Sequence, residues 1–114
     1  MIDIDIEFRK GVLFVRLVGK LTKEANIKFK EELITLINRS GICNIVINLE
    51  NVVDIDNLGL DTLFLLKNLV EKNDGHFVIC NMPLKIERLI EKRNRSLYLF
   101  KTQNELTALN AFNI

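Results

Sequence analysis

Two short, nearly continuous apolar runs, Ile45-Val46-Ile47-Asn48-Leu49 and Phe77-Val78-Ile79-Cys80, constrain this chain more than any other feature. Each reads as a central strand covered on at least one face. A helical pattern follows each of them, so strands and helices alternate as they do in a parallel sheet joined by right-handed crossovers.

The chain opens differently. Ile2, Ile4, Ile6 and Phe8 alternate with Asp3, Asp5, Glu7 and Arg9, the period of a strand with one buried and one wet face. Lys10-Gly11 offers a turn before Val12 to Val18, which predicts an antiparallel hairpin closed by Gly19. Asp3 and Asp5 fall on the polar side, where charge keeps an edge strand from pairing with other molecules.

From Lys23 to Arg39, Ile27, Leu33, Ile34 and Ile37 recur at helical spacing, with Ser40-Gly41 as the stop. A second helix is predicted from Asn57 to Lys72, and a third after Pro83 with Ile86, Leu89 and Ile90 turned inward. Leu97 to Phe100 reads as a last strand, and Asn104 to Phe112 as a terminal helix with Leu106, Leu109 and Phe112 on its apolar stripe. The expected architecture is one α/β domain over residues 1–114. It holds a mixed, largely parallel sheet of four to five strands, an opening hairpin and about four helices.

With 48% of its residues hydrophobic, a chain of this length builds its core without a disulfide or a metal. Cys43 and Cys80 sit apart inside apolar runs with no close Cys or His neighbour, so both are expected as buried thiols of a reducing compartment. The first residues lack the basic and apolar regions of a signal peptide, and no apolar stretch approaches the roughly 20 residues that span a bilayer, which points to the cytoplasm. A net charge of +1 gives no field that would favour nucleic acid or anionic lipid.

The chemistry-bearing residues are few. His76 is the only histidine, and its place after Asp74-Gly75 suits a solvent-facing or capping side chain better than a general base. No GxGxxG, phosphate loop, HExxH or metal-spaced cluster occurs, so no catalytic residue, metal or cofactor is expected, and a metabolic enzyme is disfavoured. The segment with most to say is acidic: Asp54, Asp56 and Asp61 surround the start of the second helix. Unpaired backbone N–H groups and a partial positive charge collect there, and Asp56 or Asn57 would cap them.

The run Ile45 to Leu60, with Asp56-Asn57-Leu58-Gly59 opening a helix, resembles the signature of STAS domains, the family of the anti-sigma-factor antagonists. Gly19-Lys20-Leu21-Thr22, Cys80-Asn81-Met82-Pro83, Leu97 to Phe100 and Glu105 to Leu109 are similar to the corresponding family segments, so the resemblance covers nearly the whole chain. In antagonists of this family the helix opens with Asp-Ser-Ser-Gly. The second serine is phosphorylated by a partner kinase that is itself the anti-sigma factor. Asp56 and Gly59 match that motif, whereas Asn57 and Leu58 replace the serines, and Asp54 stands where the family usually has an apolar or aromatic residue.

The resemblance therefore implies a regulatory protein that binds an anti-sigma factor or serine kinase without the usual phosphorylatable serine. Asp56 would organise the helix start. Asn57, Leu58 and Gly59 would form the contact surface, flanked by Leu21, Thr22, Asn81 and Met82. Gly59 would allow close approach of the partner. Thr62, one turn beyond Leu58, is the only alternative phosphoacceptor with a rationale. Small proteins of the family also serve as cytoplasmic accessory subunits of ABC transporters for lipids, which is the alternative function. A phosphoacceptor receiver domain is disfavoured, because its acidic pair should cluster at a strand end, and here the early acids alternate along a strand.

Overall fold

The computed structural model describes residues 2–98 and 100–112. The hairpin forms as the turn chemistry predicts: β1 (Ile2–Arg9) pairs antiparallel with β2 (Val12–Leu21), from Ile2 opposite Gly19 to Arg9 opposite Val12. Lys10 and Gly11 both have positive φ, 54° and 78°, the mirror-image turn whose twist matches that of two paired strands. The chain continues through α1 (Lys23–Ser40), β3 (Asn44–Ile55), α2 (Asn57–Lys72), β4 (His76–Cys80), α3 (Leu84–Arg93), the single turn α4 (Arg95–Tyr98), β5 (Lys101–Thr102) and α5 (Glu105–Ala111). The sheet has five strands in the order β1-β2-β3-β4-β5, and every pair after the hairpin is parallel.

Both faces of the sheet are covered along Val12–Val15, Ile45–Ile47 and Phe77–Cys80, which is why those stretches are continuously apolar. On one face Leu13, Val15 and Leu17 of β2 and Ile45, Ile47 and Leu49 of β3 pack beneath α1, α2 and α3. The alternate residues Val12, Phe14, Val46, Val78 and Cys80 face the other way and are covered by Ala108 and Phe112 at the C-terminal end. There Glu105 of α5 accepts from Arg16 Nε at 2.8 Å, Arg16 Nη2 at 2.7 Å and Asn48 Nδ2 at 2.8 Å, fastening that helix to β2 and β3.

Several expectations are corrected. β3 does not stop near Leu49. It runs on beside β2 to Ile55, taking up two register shifts, one between Arg16 and Val18 and one between Gly19 and Lys20. The segment expected as a final strand instead begins with α4, whose start is bonded from Leu97 N–H to Asn94 Oδ1 at 3.1 Å; Leu99 lies outside the described residues. The last strand is the short Lys101–Thr102 pair. In α1 Ile27 is exposed and Phe29 takes the inward position, while Leu106 of α5 is exposed and Ala108 is buried. Cys80 is buried, but Cys43 lies at the surface. Burial fades along β1, so Ile2 is in the core while Ile6 and Phe8 are exposed.

Candidate functional site

At the far end of β2 and β3, Leu21 pairs with Ile55, and α1 and α2 begin. Asp56 holds this junction. Its Oδ1 accepts the Gly59 N–H at 2.9 Å, capping α2, and its Oδ2 accepts the Lys23 N–H at 3.0 Å, where α1 starts. Thr22, the residue before α1, makes no side-chain cap of its own, so one carboxylate serves two helix starts. Burial alone would raise the Asp56 carboxyl, but the N–H groups of Gly59 and Lys23 outweigh it and hold the group below its ordinary value. Lys23 is held in the left-handed region, with φ 38°.

Gly59 and Leu21 form the seat of the helix. A Cβ built on Gly59 would stand 2.5 Å from the Leu21 carbonyl oxygen and 2.8 Å from Ile55 Cγ1. Gly59 and Leu21 are both buried, which corrects the expectation that they belong to an outer contact surface; the close approach Gly59 permits is that of α2 to β2. Leu58 is the outward residue, 53% exposed at the first turn. Asn57 is also exposed, and its Oδ1 accepts from Arg93 Nη1 at 2.6 Å, tying the last residue of α3 to the first of α2. Sequence reasoning missed Arg93 and Lys23 as members of this junction, since nothing local marks contacts that span 36 and 33 residues.

The remaining candidates lie elsewhere. β4 ends opposite Asn48, whereas β3 continues to Ile55, seven residues and roughly 20 Å further along the strand. Asn81 and Met82, which follow β4, are therefore at the lower end of this overhang, and α3 climbs beside it to bring Arg93 to Asn57. Asn81 instead borders a polar groove with Arg16, Asn48 and Glu105. Thr62 is 3% exposed, so its hydroxyl is closed to a kinase while α2 is folded. Asp61 is exposed but falls beyond the first turn. His76 is exposed and stacks on Phe112, ring centroids 5.8 Å apart. Among the described residues no three His, Cys, Asp or Glu side chains group as metal ligands, and no helix is long and apolar enough to cross a membrane.

This geometry has close counterparts. The model of the STAS domain matches residues 3–109. An anti-sigma F factor antagonist of Paenibacillus polymyxa is 25% identical over 113 residues, covering 99% of this chain and 97% of the relative. The unphosphorylated anti-sigma factor antagonist SpoIIAA superposes with a TM-score of 0.86 at 17% identity, over 97% of this chain and 96% of that one. An antagonist from Mycobacterium paratuberculosis gives 0.87 at 18% identity, over 100% and 96%. An opening hairpin, parallel crossovers and an Asp-capped α2, together with a family match across residues 3–109, make this chain a member of the STAS domain family.

Proposed function

We propose that this STAS domain is a regulator of the anti-sigma-factor-antagonist type. It acts in the cytoplasm by docking the N-terminal face of α2 onto an anti-sigma factor or serine kinase, and phosphorylation at residue 58 does not control it. The observation that carries the reading is Leu58, an apolar side chain 53% exposed on a helix start held rigidly by Asp56. Asn57 adjoins it in the first turn of α2, and Leu21 and Gly59 form the buried seat of that turn. The family's switch adds about −1.5 to −2 charge at this face; a leucine has no hydroxyl to carry it and presents surface that gains from burial.

The test compares capture of partners by the tagged wild-type protein and by Leu58→Asp. Completing the burial of a half-exposed leucine contributes about 1 kcal/mol, and burying a carboxylate in its place costs several more, so affinity should fall at least about tenfold. Affinity should be unchanged by phosphatase treatment. Equal binding by the variant would remove this face from the interaction. Capture of an ABC ATPase would keep the docking face and move the function to a transporter accessory role.

A further inference from the structure

The two edges of the helical layer carry shallow apolar grooves of equal size and opposite charge. On the β1 side, Ile6 and Leu36 floor a groove of about 420 Å³ whose charged lining is Glu31 and Glu32; the neighbouring Lys28 and Lys30 do not line it. Phe8, on the same face of β1 as Ile6 and 60% exposed, extends the apolar strip. On the far side, Leu84 and Leu89 floor a groove of about 430 Å³ lined by Lys85, Arg88 and Lys92 and by no acid. Of the two acids within two residues of Leu89, Glu87 is engaged elsewhere by Lys101 Nζ at 3.0 Å, and the exposed Glu91 does not line the groove.

Packing within the chain accounts for only part of each groove. α1 docks through Phe29, Leu33 and Ile37, and α3 through Ile86 and Ile90; Leu36 and Leu89 pack only partly against the core, and Ile6 and Leu84 stay exposed beside them. The chain carries a net charge of only +1, so the cations of α3 are balanced elsewhere on the same molecule, and the acid-lined groove offers charge opposite to theirs. A second copy of this chain thus supplies both halves of a complementary pair.

We propose that copies of this chain associate head to tail. The Leu84 and Leu89 face of α3 in one copy seats in the β1–α1 groove of the next, with Lys85, Arg88 and Lys92 set against Glu31 and Glu32. The two patches differ, so the contact is heterologous and leaves one groove free at each end, which builds rings or open chains. The patches are small, so the contact is weak and sensitive to salt. Leu58 lines neither groove, and the association stands or falls independently of the proposed partner docking.

Sedimentation of the wild-type protein up to about 1 mM, at low ionic strength and again near 1 M salt where screening acts within about 3 Å, tests this. Association should rise with concentration and disappear at high salt. Two variants reverse the charges of one groove each: Arg88→Glu with Lys92→Glu, and Glu31→Lys with Glu32→Lys, all at exposed positions. Each alone should be monomeric with unchanged circular dichroism, and an equimolar mixture should associate again, because a reversed α3 face meets a reversed groove. A wild-type protein that stays monomeric overturns the proposal. Association indifferent to salt or to either reversal also overturns it, as does a mixture of folded variants that remains monomeric.

Discussion

Gly59→Ala separates tertiary packing from local helix preference, because the two predict opposite signs. Alanine is favoured over glycine by about 1 kcal/mol within a helix, so intrinsic propensity alone predicts a more stable protein. The added Cβ would meet the Leu21 carbonyl oxygen at 2.5 Å and Ile55 Cγ1 at 2.8 Å, and the first of these is backbone in a paired strand that cannot swing aside. Relief requires α2 to lift by close to an ångström, which stretches the Asp56 Oδ1 contact of 2.9 Å to the N–H of the same residue. Overpacking of this kind costs about 1–3 kcal/mol, and a backbone obstacle puts it at the upper end. The net loss is about 2 kcal/mol, or a Tm lower by roughly 8 °C for a chain of this size. Thermal melts of the two proteins by circular dichroism decide the matter. An unchanged or raised Tm would refute the claim that glycine is required here by the seat of α2.

Asp56→Ala, which strips the shared cap from both helices, should cost about 2 kcal/mol, and Asp56→Asn about 1, since the amide keeps an acceptor for Gly59 but loses the one for Lys23; urea unfolding measures both. The Arg16 guanidinium, with help from Asn48, holds the Glu105 carboxyl below its ordinary value, so its stabilisation is fully present above that value and is lost as pH falls through the lowered one. Glu105→Gln should therefore lower stability by about 1–2 kcal/mol at neutral pH, less than a fully buried pair would lose, and the gap to wild type should close in acid melts. Cys43 is exposed while burial pushes the Cys80 thiol up to about 12, so a thiol reagent should titrate one cysteine in the native protein and both in denaturant. Two rapid native equivalents would contradict the placement of Cys80 under α5.

Local signals carried most of the fold. Lys10-Gly11 between two apolar strands specifies its own hairpin, and Asp56 three residues before Gly59 announces the capped start of α2, both readable within a few residues. What was not legible depends on pairing between distant segments. Glu50, Asn51 and Asp54 look like a turn after Leu49, yet β2 provides a partner all the way to Ile55, so the polar residues point outward from a strand that continues. That single difference in length moves Asn81 and Met82 away from Leu58, because the distance between them is set by how far β3 outruns β4. Leu97 to Phe100 has strand composition, but Asn94 bonds the Leu97 N–H and starts a helical turn. Ile27 and Phe29 fit a helical stripe equally well in sequence, and only the position of α1 on the sheet decides which is buried.

The overhang of β3 also explains how one residue can set the chemistry of the candidate face without disturbing the fold. α2 begins where only β2 and β3 continue, and Asp56 and the Asn57–Arg93 bond anchor that start to α1 and α3. Position 57 takes part in the junction through this exposed bond to Arg93. Position 58 carries no such duty, since Leu58 projects outward and contributes to neither core cluster. Surface changes of that kind shift stability by no more than about 0.5 kcal/mol, so a change of binding at Leu58 reports on the interface alone. The two positions where the family's motif has serines therefore carry residues with separate tasks: Asn57 bonds Arg93 of the neighbouring helix at the surface, and Leu58 leaves its side chain exposed.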